Sequence, residues 1–553
     1  MSYSPDAKEK PFFSPGQEKG DVVPTLETGE YGRDPTNAFG QQEHEKLKHA
    51  LLPRHLAMIS IGGVIGTGLF LGSGGSLHNG GPLGLWLGYI LIGTVCYSMM
   101  MCLGEMISQY PVPGGHLKLA ERLVGKPFSL AVGWNYWYNW TIILPAELSA
   151  AAVLMTFWTD KNPAIWISIF LVLVVAINCA GTRVYGEAEF WFASIKVITI
   201  VGLIILSICI DLGAGDQGRL GFRYWKNPGP FAQYLEIAGS WGRFLGFFSV
   251  LLQASFSFIG TEIVAIAAGE ARNPRKTVPS AIKKVWVRIL IFYILGTFCI
   301  GLICPSNDPA LTSGQKTTRS PFVIAIKAAG IKGLPSVINA ALITSAVSAA
   351  SSDLFTSSRA LYGLAIAGNA PRIFARTTKS GLPYYAVGVS ILFSSLAYMS
   401  VSNGAATVFG WFANMTSMAG LSTWTCIAIM HLRFRKGMAR QNIPRSTLPF
   451  TARFSVIYAP WVIFMTTIVM FFSGFAYFLD ANKPFSQSDF WTNYVPIPFF
   501  LVLFIGALIY YGRGSILRVD QIDFVTGLKE LEDNEYEEEK PTTLWGKIWA
   551  VIA

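Results

Sequence analysis

The chain has 553 residues, of which 52% are hydrophobic and only 14% are charged. Because about a quarter of the residues in soluble globular proteins are charged, this composition excludes an ordinary water-soluble domain and predicts an integral membrane protein. The net charge of +10 does not indicate a nucleic-acid surface, since Lys and Arg residues lie in short loops such as 272–284 and 433–453 and form no broad patch.

The N-terminal 50 residues are rich in Pro, Gly, Glu and Lys and contain no cleavable hydrophobic segment. This composition is typical of a disordered tail. We therefore predict three parts, namely a disordered cytoplasmic N-terminal tail over 1–50, a transmembrane domain over 51–512 and a cytoplasmic C-terminal tail over 513–553.

About twelve apolar runs follow this tail, and each is close to the roughly 20 residues that a helix needs to cross the hydrocarbon core. In chain order they cover 56–77, 84–107, 131–158, 164–180, 190–211, 244–268, 286–304, 334–360, 385–401, 408–431, 457–479 and 495–511. The predicted fold class is an all-α polytopic membrane protein with about 12 transmembrane helices.

The distribution of positive charge predicts the orientation of the chain. An even number of spans places both termini on the same side of the membrane. Roughly 31 Lys and Arg residues fall in loops on that side and roughly 10 in loops on the other, and positive loops stay in the cytoplasm. Both termini are therefore predicted to be cytoplasmic.

Two of the apolar runs carry matching interruptions. The first run contains Gly62–Gly68 and the sixth contains Phe256–Glu262, and both stretches include Ile-Gly-Thr. Interruptions at corresponding places in two halves indicate an inverted repeat with a ligand bound near the bilayer midplane. We predict a 5+5 repeat of spans one to five and six to ten, with spans eleven and twelve at the periphery.

Unwinding a helix frees backbone N–H and C=O groups that hydrocarbon does not satisfy. A zwitterionic ligand supplies partners, because its carboxylate accepts from N–H groups of the first break and its ammonium donates to carbonyls of the sixth. For one such stretch alone, the alternative to ligand binding is close packing against a neighbouring helix through Gly62 and Gly66. Two such stretches at corresponding places in the two halves favour ligand binding. The predicted binding residues at the breaks are Ile65, Gly66, Thr67, Gly68, Phe256, Phe258, Ile259, Gly260 and Thr261.

Further motifs lie at characteristic places along the chain. They are Pro53-Arg54-His55, Gly104-Glu105-Met106, Tyr110-Pro111-Val112, the stretch from Phe256 into Glu270–Lys276, and Ser320-Pro321-Phe322. With these motifs the chain resembles fungal plasma-membrane amino-acid permeases of the amino acid, polyamine and organocation superfamily, over essentially residues 48–553.

The resemblance implies a LeuT-type fold and proton-coupled uptake of amino acids at the plasma membrane, with recognition of the α-amino and α-carboxyl groups. The expected partners are the amino-acid substrate, protons and membrane lipid, with ubiquitin ligase adaptors on tail lysines such as Lys8, Lys10 and Lys19. We expect no cofactor beyond the proton gradient. The seven cysteines form no CxxC pair, so a metal site is not expected either.

Four ionisable residues stand out within the predicted spans, where desolvation makes charge costly. The resemblance suggests that Lys196 loads and releases a proton, and snorkelling to the interface is the alternative. Glu262 follows the sixth break and is predicted to lie in the binding neighbourhood, with contact to the substrate, ordering of the unwound segment and proton coupling as its candidate roles. Glu147 is a candidate for proton coupling, whereas Glu105 and Glu147 are both open to a structural role as anchors between helices.

The remaining site residues are placed by analogy with similar transporters. Asn139, Ile143, Ser352 and Thr416, together with Phe258, are expected to line the side-chain pocket. Glu270 and Arg275 are candidates for an inner gate, and a solvated loop is the alternative interpretation.

Spans eight to ten look closest to the dicarboxylic amino-acid permease subgroup, notably in Ala349–Leu354 and Ala365–Pro371. Sequence inspection identifies no obvious Arg or Lys within a span to bind a second carboxylate. Acidic and neutral L-amino acids therefore both stay open as substrates, and a general or neutral permease and a permease-like sensor are the alternative functions. A channel filter and enzyme motifs are absent from the sequence.

Overall fold

The structure is a computed structural model that describes residues 66–110, 115–263, 282, 285–311, 320–378, 381–479 and 485–526. Within these residues the regular structure is helical, and the only strand-like pairing is an isolated bridge between Gly125 and Ile516. The principal helices are α1 Gly68–Gln109, α2 Lys126–Met155, α3 Pro163–Cys179, α4 Thr182–Asp211, α5 Gly239–Phe258, α6 Val285–Ile303, α7 Leu334–Ile366, α8 Tyr384–Asn403, α9 Ala405–Arg440, α10 Ser455–Leu479, α11 Gln487–Tyr494 and α12 Pro496–Tyr511.

Six of these helices are long and apolar enough to cross a membrane, namely α1, α4, α6, α7, α8 and α10. The pair α11 and α12, bent by 47°, makes a seventh if it is counted as one span. Every predicted apolar run is helical over at least part of its described length. The number of about twelve crossings stays a prediction.

Helices α2 and α9 form the interior of the bundle and are not among those six. α2 is buried on nearly all sides and carries polar residues such as Asn135, Asn139 and Glu147. A helix shielded from lipid by its neighbours has no need of a continuous apolar surface. The central position of α2 thus explains why a hydropathy test alone does not select it.

The outer helices instead expose large apolar side chains. Ile198 of α4 is 71% exposed, and Ile509 of α12 is 79% exposed. In water such surfaces would be unfavourable, but they match the hydrocarbon of a bilayer. The helices therefore divide into a shielded, partly polar interior and a lipid-facing shell.

The first two predicted spans are joined in one kinked helix. α1 changes direction at Gly81, which has a φ of +73° and is followed by Pro82. The connection between α4 and α5 packs into this kink, where the Leu83 N–H donates to the Pro230 carbonyl at 2.9 Å. A Cβ at residue 81 would lie 2.7 Å from that same carbonyl oxygen, so only glycine fits both the backbone conformation and the space.

Residues 512–526, which we call the C-terminal strap, lie across the ends of α2 and α9. Leu517 N–H donates to the Val124 carbonyl at 2.9 Å, and the Tyr110 hydroxyl donates to the Phe524 carbonyl at 2.8 Å. The Phe524 ring is buried and covers Gly437 of α9. The first part of the predicted C-terminal tail is thus packed on the bundle.

An ion pair adds to this contact, because Arg122 lies 3.4 Å from Asp523 and donates to its backbone carbonyl at 2.8 Å. Partial burial raises the pKa of Asp523, but hydrogen bonds from Thr526 and Val525 and the charge of Arg122 outweigh it, so the pKa lies below its usual value. The Asp523 carboxylate is therefore ionised, and the ion pair is present, at neutral pH.

We predict that Gly81→Ala destabilises the protein. The added methyl group meets backbone atoms and residue 81 keeps a positive φ, so we expect the free energy of unfolding to fall by about 1–3 kcal/mol. Thermal unfolding of the detergent-purified protein measures the change. Gly363→Ala is the control, because Gly363 is exposed on α7 with no atom within 4 Å of the added Cβ. Equal melting temperatures for the two variants would contradict this account of the kink.

Candidate functional site

The sixth apolar run is interrupted at the place that the sequence indicates. α5 ends at Phe258, Ile259 is extended with φ −62° and ψ 143°, and Gly260 has a φ of +95°. The Thr261 hydroxyl donates to the Phe258 carbonyl at 2.7 Å and closes the turn. Backbone groups that a continuous helix would pair are therefore turned away from the helix axis.

The described part of the first run begins at its own break. Gly66 lies in a bend, and the helix starts with a π-helical turn over Gly68–Gly72 before it continues as an α-helix. Ile65 lies outside the described residues. The N–H groups at the start of a helix have no intrahelical acceptor, so this terminus directs backbone donors and a positive dipole towards the space before it.

The two breaks are in direct contact. A Cβ added at Gly68 would lie 2.8 Å from the Ser257 Oγ and 3.0 Å from the Phe256 ring. Across the sixth break, a Cβ added at Gly420 of α9 would lie 2.5 Å from Ile259. The glycines are thus needed for the close approach of α1, α5 and α9 around the interruption.

Glu147 of α2 reaches the first break. Its Oε1 accepts a hydrogen bond from the Thr67 hydroxyl at 2.8 Å, and a Cβ at Gly66 would lie 3.3 Å from the same oxygen. Its Oε2 is buried and, among the described residues, has no hydrogen-bond partner. The Glu147 carboxylate consequently has acceptor capacity left beside the break.

Glu262 sits at the other break. The Trp424 indole N–H donates to its Oε2 at 3.3 Å, and the buried Arg288 at the start of α6 interacts with it electrostatically. The sequence analysis overlooked this arginine when it identified no obvious Arg or Lys within a span that could bind a second carboxylate. The signal was present, because Arg288 lies inside the predicted run 286–304 between apolar residues.

The predicted pocket residues on α2 and α9 are fully or nearly buried. Both amide atoms of Asn139 and the hydroxyl of Thr416 lack hydrogen-bond partners among the described residues. Ile143 packs in the same apolar cluster as Trp140 and Phe256. Buried polar atoms without partners are rare in native proteins, and here they stand ready to bind a ligand or an ordered water.

The two predicted phenylalanines have different environments. Phe256 lines a cavity of about 120 Å³, and its ring meets that of Phe409 at 5.8 Å. Phe258 instead stacks on Tyr293 at 4.4 Å and is not among the residues that line this cavity. The polar side chains at the cavity wall are Gln253, Asn414 and Ser417.

Lys196 of α4 and Ser352 of α7 belong to a cluster that adjoins the site, since Lys196 interacts electrostatically with Glu147. Lys196 is 1% exposed, and its Nζ lies 3.8 Å from Oε1 of Glu189. Ser352 accepts a hydrogen bond from the Tyr185 hydroxyl at 3.1 Å. Sequence analysis missed Glu189 because it started the fifth run at residue 190, whereas α4 begins at Thr182.

Glu105 has the environment of a structural anchor. Its carboxylate accepts hydrogen bonds from the Ala452 N–H and the Ser455 hydroxyl, each at 2.8 Å, from His431 at 2.7 Å, and from Arg445. These donors tie α1 to α9 and to the segment before α10. A buried carboxylate with this many donors stabilises its surroundings, and it lies apart from the breaks.

Several predicted residues cannot be placed. Glu270 and Arg275, the candidates for an inner gate, lie outside the described residues. The N-terminal tail with Lys8, Lys10 and Lys19 and the last part of the C-terminal tail also lie outside them.

The chain is similar to several known proteins in sequence and in fold. Residues 55–515 match the family model for amino acid permeases. The lysine-specific permease of Saccharomyces cerevisiae is 41% identical over 92% of this chain and 84% of its own, and the dicarboxylic amino acid permease of the same yeast is 38% identical over 96% and 89%.

Among solved structures, the chain is similar to a manganese transporter of Eremococcus coleocola, with a TM-score of 0.52 and 15% identity over 82% of this chain and 94% of that one. At this identity the likeness concerns the fold alone. Together with the helices described above, it confirms the all-α, LeuT-type fold class.

We predict that Gly68→Ala impairs ligand binding at the breaks. The added methyl group separates α1 from α5, so we expect the apparent affinity for substrate to weaken by about tenfold, equivalent to about 1.4 kcal/mol. The change is measured as the apparent KM of radiolabelled amino-acid uptake at matched surface abundance. Gly388→Ala on α8, where the added Cβ meets no atom within 4 Å, is the control. Unchanged affinity in the Gly68 variant would argue against a binding site at the contact.

Proposed function

This chain belongs to the amino acid permease family, and from that premise we propose that it takes up amino acids across the plasma membrane by proton-coupled alternating access. It is a multi-pass membrane transporter of amino acids and not an enzyme. The single observation that carries the proposal is the direct contact between the two helix breaks at Gly68 and Ser257. The coupling to protons, the class of substrate, the location in the plasma membrane and the orientation of the chain are the parts that we propose.

We propose that the substrate's α-carboxylate binds at the start of α1. The N–H groups of Gly66, Thr67 and Gly68 lie at the first described turn of the helix, where the dipole favours an anion. Ile65 completes the predicted set. No side chain is needed for this contact, so it suits every amino acid equally.

The α-ammonium group would donate to carbonyls at the end of α5. Of the last four carbonyls of that helix, those of Ser255 and Phe258 already accept from Ile259 and Thr261. Those of Phe256 and Ser257 have no backbone partner beyond the helix end among the described residues. These two oxygens, with Ile259 and Gly260 in the turn, form the proposed ammonium site.

Proton coupling is assigned to Lys196, Glu147 and Glu262. The complete burial of the Lys196 ammonium beside Glu189 supports a functional role over snorkelling to the interface, which needs an exposed head group. Glu147 contacts the first break through Thr67, so its protonation would be sensitive to a bound substrate. Glu262 lies at the second break and has one unbonded oxygen among the described residues.

For the substrate side chain we propose acidic and neutral L-amino acids, bound by Asn139, Ile143, Ser352 and Thr416. Cationic amino acids are a second candidate, because Glu147 and Glu262 place carboxylates at the site and one relative is named a lysine-specific permease. Another relative of similar identity is named a dicarboxylic amino acid permease. Sequence identity therefore does not decide between acidic or neutral substrates and cationic ones.

We also propose that both termini are cytoplasmic, that Glu270 and Arg275 take part in an inner gate, and that adaptors of ubiquitin ligases bind the tails. The charge distribution of the loops supports the orientation.

Uptake is predicted to depend on protons and not on sodium. Radiolabelled substrate should accumulate in cells or proteoliposomes when the outside is acidic, and collapse of the pH gradient by a protonophore should remove the accumulation. Replacing sodium by choline at constant pH is the control and should leave the rate unchanged. A sodium requirement at constant pH would contradict the proposed coupling.

Competition experiments should identify the substrate class. We expect excess Asp, Glu, Ala or Pro to reduce uptake of a labelled acidic or neutral substrate, and Arg and Lys to have little effect, because the predicted side-chain pocket residues Asn139, Ile143 and Thr416 are uncharged. The measurement is the inhibition constant of each amino acid under one pH gradient. Stronger inhibition by Arg and Lys than by all others would establish the cationic candidate instead.

A further inference from the structure

A line of buried ionisable side chains leads away from the breaks between α4 and α7. Its members are Glu147 beside Thr67, Lys196 and Glu189 of α4, and Asp353 of α7, which interacts electrostatically with all three. All four ionisable side chains belong to residues that are 3% exposed or less. Sequence analysis assigned a role to the first two only, so Glu189 and Asp353 are without one.

Lys196 and Glu189 are arranged along one face of α4. Seven residues separate them in sequence, which is about two helical turns or roughly 10 Å along the axis. The two side chains span this distance, with Nζ 3.8 Å from Oε1. Glu189 is the member nearer the start of α4, which is its predicted cytoplasmic end.

Helix α7 completes the line from the opposite side. The Ser348 hydroxyl donates to Oε2 of Glu189 at 2.7 Å. Asp353, on the same helix, interacts electrostatically with Glu147, Lys196 and Glu189. Its Oδ2 is buried without a hydrogen-bond partner among the described residues, so it has capacity to accept a proton.

The line ends close to the first residue of α4. Tyr185 donates to Ser352, and its ring stacks on Phe355 at 3.9 Å. The Arg359 guanidinium lies 3.1 Å from the centre of the Phe355 ring and donates to the Thr182 hydroxyl at 3.1 Å. This stack of Tyr185, Phe355 and Arg359 lies at the predicted cytoplasmic end of the cluster, and Tyr185 interacts electrostatically with both Glu189 and Asp353.

The charges of the cluster do not balance. Glu147, Glu189 and Asp353 are three carboxyl groups, and Lys196 is the one amine among the four. If all were ionised, the cluster would carry a net charge of two negative units in a low-dielectric interior, which is strongly unfavourable. Among the residues that the structure describes, the other titratable side chains facing it are Tyr185 and Arg359, at its outer end, and α3 contributes the neutral Asn178. The cluster is thus built to hold and exchange protons.

We propose that Glu189 and Asp353 form the exit path along which the coupled proton leaves Lys196 for the cytoplasm. The Lys196 ammonium transfers its proton to the Glu189 carboxylate, which leaves a neutral amine and a carboxylic acid. The acid shares the proton with Asp353, and this pair of carboxyl groups releases it to water when the stack of Tyr185, Phe355 and Arg359 opens. This inference rests on the proposed function, in which the proton reaches Lys196 from the substrate site.

A purely structural role for Glu189 is the competing explanation, since the carboxylate also ties α4 to α7 through Ser348. The two explanations differ in what a neutral isostere does. A proton carrier is required for net, gradient-driven uptake but not for one-for-one exchange of substrate, which moves no net proton. A structural tie is required for both.

The test uses Glu189→Gln and Asp353→Asn in the full-length protein reconstituted in liposomes. We expect net uptake under a pH gradient to fall by at least about tenfold in each variant, while exchange of labelled for unlabelled substrate stays within about twofold of the unmodified protein. Proton influx, followed with a pH-sensitive dye inside the liposomes, should fall in parallel with net uptake. Glu187→Gln is the matched control, because Glu187 lies two residues away on α4 and is only half-buried.

Equal loss of exchange and net uptake in the Glu189 and Asp353 variants would overturn the proposal, as would normal net uptake in both. Ser348→Ala is the second variant in case either does not fold, because it keeps all four ionisable groups and removes only the hydrogen bond to Glu189. It should slow net uptake and proton influx and spare exchange, and an equal slowing of all three would count against the path. Failure of the proposed function itself is distinguishable, since the unmodified protein would then show no proton-dependent uptake at all.

Discussion

The architecture depends on one constraint, namely that backbone N–H and C=O groups cannot be left unpaired in hydrocarbon. One helix is nevertheless interrupted inside the bundle at Gly260, and the described part of the first apolar run begins beside it, in a bend at Gly66. These helix ends are sustained because they face each other and because α2 and α9 shield them from lipid. The close contact between Gly68 and Ser257 brings these helix ends together, where we propose that a zwitterion supplies the missing partners.

This arrangement explains why polar groups concentrate on the inner helices. Glu147 and Asn139 lie on α2, Thr416 lies on α9, and all three are buried. In the outer shell such residues would face lipid at a cost of several kcal/mol each. Behind α1 and α5 they contact other protein groups, and some of their atoms remain without a partner among the described residues. Substrate recognition and tolerance of polarity therefore have the same physical origin.

Two buried carboxylates illustrate different uses of charge in the same bundle. Glu105 receives donors from His431, Arg445, Ala452 and Ser455 and so holds three segments together. Glu189 has one short hydrogen bond and a lysine at 3.8 Å, in a cluster with more acids than bases. A fully satisfied group is fixed, whereas an incompletely satisfied one can change its protonation during a transport cycle.

The sequence by itself determined the helical membrane class, the family resemblance and the position of the sixth break, because hydropathy, glycine and local motifs are properties of adjacent residues. It also indicated Glu147, Lys196 and Glu262, since a charge within an apolar run is visible without coordinates. Only the tertiary structure decided that Phe256 and not Phe258 lines the cavity, that Arg288 accompanies Glu262, and that Glu189 and Asp353 join Lys196. These depend on which face of each helix meets its neighbour, and a run of apolar residues without strong amphipathicity does not encode that face.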